Sequence, residues 1–526
     1  MTDTVGDDRL EADSMKPAED RPWRLAGLLV LPFFLLSLSW AFSNPPFASP
    51  DETLHLVKAL GNGSFQFGEP GPPVPDTPTL ENRNNSTIRI YEIPSKLAPN
   101  RKSACFAYAP LVTPEDCQPR RPPTDVGLIK RKSEVGAYPP FAYVPLGRAA
   151  LLGETPAQAI IAGRLAAALI SAGLLLLGTA HMIRWLGRSA TLGIAAAMTP
   201  VAVFITGSLT PSGIEITSAA AVAAVVTVAA LRPASIHASS THWTLMVVGT
   251  VLATTRQLGA LVLGGLLILM LIVIGWSHIK RLLTGRQLSF FVSSTVLIAV
   301  AIMITWYELT FDHPAGAGSV LTPAAIEPFL NQAYTLMSSG IGLFGWLDTP
   351  APRPLIGGWT ALWVVLVGGT LLLGRRREAW ILIGALTAVW VLAFCVYASG
   401  YYPLGVFGQG RHLLPAMTFI VIFSGATLAR RLQQVSERAT RRLFLAAAIF
   451  IGAAQAFSIY WNARRYAVGM AGDVWFLGSS EWSPRLGWVP WLLLAVGAGA
   501  LLATVIYRFR PVVTPVVGAH VGAEPR

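Results

Sequence analysis

The chain has 526 residues, is 53% apolar and only 13% charged, and carries a net charge of +12. Soluble proteins carry about 25% charged residues, so a soluble domain is excluded and an integral membrane protein is indicated. The positive charge does not form the aromatic-interleaved stripe of a nucleic-acid binder. It lies in short clusters between alternate apolar runs ("IKRLLTGR", "GRRRE", "ARRLQQVSERATRR", "YRFRP"), the positive-inside pattern of cytoplasmic loops.

Residues 1–24 are polar and are expected to form a disordered cytoplasmic tail. The run 25–43 lacks a small-residue cleavage site and is expected to be an uncleaved first transmembrane helix. Further apolar runs at 157–185, 189–207, 213–231, 243–256, 259–276, 288–309, 356–373, 379–399, 412–430, 441–460 and 487–507 bring the expected number of transmembrane helices to about 12, with 243–256 short for a crossing. No period-2 alternation of a barrel is present. The expected fold is an all-α polytopic membrane protein. Threading from a cytoplasmic N-terminus puts every basic cluster inside, together with a C-terminal tail at 511–526. The outer face then receives a large first loop, 44–156, carrying interfacial helices such as "YPPFAYVPLGRAALLG". The helical domain 157–510 adds outer loops at 308–356, 400–411 and 461–486. Function is expected at this loop-rich face.

Cys105 and Cys117 share the first loop, which faces an oxidising compartment, so they are a candidate disulfide; Cys395 lies within a span. In the same loop, "SPDETLH" reads as a capping box: Ser49 at the N-cap, Pro50 at N1 and Glu52 at N3 bonding back to Ser49, with the helix running to Leu60 before "GNG". Asp51 and His55, four residues apart, share a face, with Lys58 one turn further. That edge is either a solvated helix face or a group suited to proton transfer and anion handling. Candidate phosphate ligands at the outer ends of spans are Gln409, Arg411 and His412 in "GQGRHLLP" and Arg256 in "TTRQLG"; for both arginines the plainer reading is a snorkelling anchor. Asp348 and Arg353 lie in "FGWLDTPAPRP". Arg464 and Arg465 in "WNARRYAVG" lie on the side that positive-inside logic disfavours, as if to meet an anionic head group. No Walker, HExxH, Rossmann or Ser-His-Asp signature occurs. Glu215 is the main intramembrane acid, too few for an ion-coupled transporter.

"SPDETLH", "YPPFAYVP", "FGWLDTPAP", "GQGRHLLP" and "NARRYAVG", in this order, resemble the bacterial membrane family called domain of unknown function 2142. Thr53, Leu54 and His412 depart from the family's usual residues. The family looks like the GT-C class of glycosyltransferases, and this resemblance implies an active site on the outer face of the plasma membrane and a polyprenyl-phosphate-linked sugar as donor. It implies Asp51 as general base, with His55 orienting it or the phosphate and Glu52 as second choice. Arg411 leads the phosphate ligands, followed by Arg464, Arg465 and Arg256, with His412, Gln409 and Asp348 beside them. No cofactor is expected; a divalent cation on Asp51, Glu52 and Asp348 has no ligand spacing to support it. The implied partners are the lipid-linked donor, a glycan or lipid acceptor and membrane lipids. The competing readings are a flippase for a lipid-linked glycan and a non-catalytic subunit of an envelope polysaccharide complex.

Overall fold

A computed structural model describes residues 18–19, 21–77, 79–117, 127–311, 322–406, 408–432 and 436–511, so most of both expected tails lies outside the described residues. Helix α1 (Pro22–Ser43) leads into an extramembrane unit of α2 (Glu52–Gly63), β1 (Glu69–Pro70), α3 (Leu80–Ser86), β2 (Arg89–Pro94), β3 (Leu128–Ser133) and α4 (Tyr143–Ala150). The three strands form an antiparallel sheet in the order β1-β2-β3, with Tyr91 opposite Arg131. This sheet is an addition to the helical expectation. In "RIYEIP", Tyr91 and Ile93 face inward and Glu92 outward, an alternation too short to stand out in the sequence.

The chain continues through α5 (Pro156–Leu186), α6 (Leu192–Ala197), α7 (Pro200–Thr206), α8 (Pro211–Leu231), α9 (Ser239–Thr255), α10 (Gln257–Ile274), α11 (Trp276–Thr284) and α12 (Leu288–Phe311). Beyond these come α13 (Ile326–Gly342), a small hairpin of β4 (Leu343–Phe344) and β5 (Thr349–Pro350), α14 (Arg353–Leu373), α15 (Arg376–Val396), α16 (Gly410–Leu432), α17 (Glu437–Val468) and α18 (Val489–Arg508). Among the described residues, ten helices are long and apolar enough to cross a membrane, or eleven if the pair 188–197 and 200–206 counts as one broken span. The protein is thus a multi-pass helical membrane protein, with fewer clear crossings than the twelve expected. One difference is the weak run at 243–256, which folds as the 17-residue α9; the other is the expected span 189–207, which is broken.

The broken span bends by 82° between α6 and α7. Pro200 cannot continue the hydrogen-bond ladder, and the carbonyls freed there must be satisfied within the protein. Trp359 and Trp363 both donate their indole N–H to the Ala196 carbonyl, at 3.1 and 2.9 Å, and Gln455 donates to the Met198 carbonyl at 2.7 Å. Helices α8 and α16 form the centre of the bundle, each 94% buried over its apolar window. Small residues let such helices approach closely. A Cβ on Gly193 would sit 2.5 Å from the Ile422 carbonyl oxygen, and one on Gly452 would sit 2.3 Å from that of Gly499.

The bundle has two unlike ends. At one, Arg431 donates to both Glu378 oxygens at 2.8 Å, and Arg377 donates to the carbonyls of Ala230 and Val273. This basic end ties together α8, α10, α15 and α16. The extramembrane unit, the β4–β5 hairpin and the start of α16 gather at the other, the loop end.

Candidate functional site

The loop-end site begins with the mount of Asp51. Glu52 is fully buried and its side chain does not bond back to the Ser49 amide: it takes Nε and Nη2 of Arg164 on its two oxygens, at 2.8 and 2.6 Å, and the amide of Leu209 at 3.0 Å. Arg164, fully buried in α5, also donates to the carbonyls of Ala41, Asn44 and Pro45. The expected capping box is therefore corrected. Ser49 donates to Ser208 instead, α2 starts at Glu52, and it runs on through "GNG" to Gly63. A buried, paired charge outweighs a surface cap, because an arginine inside a span must find its carboxylate. Asp51 sits just outside the helix in the left-handed region (φ 61°), which Asp tolerates better than most residues.

That turn aims the Asp51 side chain, 37% exposed, at the wall of a cavity of about 580 Å³. Nη2 of Arg411, at the start of α16, lies 3.4 Å from Oδ2 of Asp51. Arg256, between α9 and α10, lines the same cavity, held by Ser212 and Glu215 at 3.2 Å each and by the Tyr138 hydroxyl at 3.1 Å. His412 places Nδ1 2.7 Å from the Tyr401 hydroxyl and Nε2 3.5 Å from Nη2 of Arg256. Since a guanidinium only donates, Nε2 is the acceptor and Nδ1 carries the proton toward Tyr401. A second cavity, of about 210 Å³ and lined by Pro50, Phe204, Leu343 and Leu347 among others, shares Gln409 and Arg411 with the first. The Nε atoms of Arg256 and Arg411 and Oε1 of Gln409 and Glu215 are buried without a hydrogen-bond partner. Unsatisfied buried donors are costly, and two guanidinium N–H groups at one cavity are suited to an anionic ligand.

The sequence model of a family of predicted membrane proteins, DUF2142, matches residues 33–422. The chain belongs to this family. A search of curated proteins found no match for the DUF2142 chain. Among solved structures it is similar to ArnT from Cupriavidus metallidurans bound to undecaprenyl phosphate, with 14% identity over 93% of this chain and 77% of that one. The TM-score is 0.41, too loose a likeness to carry residues or chemistry across.

Other candidate residues of this DUF2142 protein stand apart from the cavity. His55 does not touch the Asp51 carboxylate: it is buried behind it, with Nδ1 2.7 Å from the Tyr143 hydroxyl and Nε2 3.5 Å from Thr210. Burial, then the charges of Arg411, Arg256 and Lys58, hold its pKa well below the usual imidazole value. Lys58 is buried too, donating to the Tyr91 hydroxyl at 3.1 Å and the Gly136 carbonyl at 2.7 Å; burial, then Arg89, lowers its pKa to about 7. Asp348 accepts from the Trp346 amide and the Thr349 hydroxyl on one oxygen and from Arg465 at 3.1 Å on the other. Arg465 is fully buried and also donates to the carbonyls of Phe106, Ala109 and Val112, so the head-group expectation gives way to loop packing. Arg464 likewise donates to the carbonyls of Met470, Gly472 and Asp473. Cys105 and Cys117 are disulfide-bonded. Asp51, Glu52 and Asp348 do not converge, and no group of three or more His, Cys, Asp or Glu side chains suited to a metal occurs among the described residues.

Tyr138, Tyr401, Arg83 and Glu134 line the large cavity without having been singled out. Tyr138 lies in the quoted "YPPFAYVP", and nothing in the sequence separates it from an interfacial aromatic. Arg164 did carry a signal: an arginine well inside the apolar run 157–185, unlike Arg184 at its end, needs an acid partner.

Proposed function

We propose that this protein is a glycosyltransferase of the bacterial plasma membrane, moving a sugar from a polyprenyl-phosphate donor to a cell-envelope glycan or lipid acceptor at the outer face. One observation carries the reading: a half-exposed carboxylate, Asp51, shares a cavity wall with two arginines that keep buried donors unpaired. Glycosyl transfer needs a base for the acceptor and cations for the departing phosphate.

In this reading Asp51 takes the proton of the acceptor hydroxyl as its oxygen attacks the anomeric carbon. The bond from that carbon to the phosphate oxygen breaks, its electron pair goes to the phosphate, and the configuration inverts. Arg411 and Arg256 neutralise the phosphate. Glu215 positions Arg256, and Tyr401 holds His412 as an acceptor facing it. Glu52 is the mount, fully occupied by Arg164 and Leu209. The loop end faces outward by the positive-inside rule, since Arg377, Arg430 and Arg431 lie at the opposite end.

The test is glycan analysis of cells carrying Asp51→Asn, with a parallel assay for polyprenyl-phosphate sugar. The expected result is loss of one glycan component and accumulation of its lipid-linked donor at normal protein level. Unchanged glycan with no accumulated donor overturns the reading.

A further inference from the structure

Seven non-glycine residues among those described adopt positive φ, and four of them, Phe47, Asp51, Tyr108 and Leu347, are linked around one loop junction. Trp346, next to Leu347, donates its indole N–H to the Phe47 carbonyl at 2.8 Å, and the Tyr108 ring stands edge-on to Trp346 at 5.3 Å. Left-handed backbone at bulky residues persists only where its surroundings enforce it, and such positions cluster at functional sites. Tyr108 (φ 58°) is enforced from every side. The Cys105–Cys117 disulfide closes its loop, Arg465 grips the carbonyls of Phe106, Ala109 and Val112, and the Met470 amide donates to Pro110. Yet Tyr108 is 67% exposed. Trp346, which the ring touches, precedes Leu347, and Leu347 lines the second cavity with Pro50 and with Arg411, the partner of Asp51, so the ring stands at the rim of that site.

A rigid backbone that holds an exposed aromatic ring at the rim of the Asp51–Arg411 site is suited to serve as a stacking platform. An interfacial anchor needs only a ring at head-group depth, and gains nothing from a left-handed backbone under so many constraints. Sugar rings present a face of C–H groups that packs on an aromatic face, and a tyrosine offers that area at low entropic cost. We propose that Tyr108 is the stacking residue of a carbohydrate subsite that holds a glycan acceptor over Asp51. The inference rests on the glycosyltransferase reading and narrows it, from a glycan or lipid acceptor to a glycan.

The experiment is saturation-transfer NMR on the full chain in nanodiscs with a panel of linear oligosaccharides of hexopyranose and pentofuranose type. Wild type and Asp51→Asn are expected to bind at least one member equally, with transfer to the C–H protons of a sugar ring. Tyr108→Gly relieves the left-handed backbone while removing the ring, so it folds, and it is expected to weaken binding at least about tenfold. Tyr108→Phe and Tyr108→Trp are expected to keep binding. Wild-type-like binding by Tyr108→Gly overturns the inference, as does failure of wild type to bind any member. Sugar transfer that survives Asp51→Asn while Tyr108→Gly still abolishes binding sinks the role of Asp51 and leaves the carbohydrate subsite standing.

Discussion

Asp51 holds its carboxylate on a backbone turned to φ 61°, and this makes the decisive substitution clean. Asn accepts the left-handed region as readily as Asp, so Asp51→Asn removes charge and basicity without disturbing the turn. A positioned general base contributes roughly 10²–10⁴-fold, and the variant is expected to lose about that much transfer activity in a membrane assay with normal KM for the donor. Behind Asp51, His55 and Lys58 are buried with depressed pKa values, and the signs follow. Below the ordinary imidazole value of 6.5 the unfolded chain binds a proton that native His55 does not, so stability falls as the pH drops. Between about 7 and 10.5 the unfolded chain keeps the Lys58 proton that the native state releases, so stability rises with pH. Thermal unfolding midpoints in detergent are expected to climb across both windows; Lys58→Met flattens the upper window and His55→Gln the lower. A flat wild-type profile contradicts this account. The sequence put Asp51, His55 and Lys58 on one polar helix edge; in the structure Asp51 lies just outside the helix while His55 and Lys58 are buried, because only the packed α4 supplies Tyr143 as a partner for His55.

At the scale of elements, α2 is anchored by one buried ion pair. Glu52→Gln leaves the Arg164 charge without its counter-ion, and the expected cost is about 3–5 kcal/mol, read as a fall in unfolding midpoint and in the amount of protein in the membrane. Replacing both partners by Leu and Met is not expected to restore wild-type stability. The carbonyls of Ala41, Asn44 and Pro45 would then lose their donor as well. The spacing of "SPDETLH" fits a capping box, and it failed because a tertiary partner 112 residues away outbid the local amide of Ser49. The arginine pair of "NARRYAVG" shows the same limit. Its place on the disfavoured side was legible, but the targets of Arg465 are backbone carbonyls of a loop 353 to 359 residues earlier, while Arg464 holds the turn that follows its own helix.

For the whole molecule, apolar runs and basic clusters made the helical membrane fold legible, since hydropathy and charge placement are local properties. The split of the broken span, the exact crossings and the small sheet were not, because they depend on which helices pack together. Orientation is open to a direct check. In a Cys395→Ala background, Phe67→Cys is expected to react with a membrane-impermeant maleimide on intact cells, and Lys280→Cys only after permeabilisation. The reverse pattern would place the cavity inside the cell. The Glu52–Arg164 pair also has a consequence in time. Glu52 leaves the ribosome just behind α1, while Arg164 follows 112 residues later, roughly 6–22 s at 5–20 residues per second. Until α5 inserts, the acid has no counter-ion and Asp51 has no fixed direction. A nascent chain stalled before α5 therefore carries Asp51 without the mount that orients it, and the Asp51–Arg411 site is assembled only when insertion is well advanced.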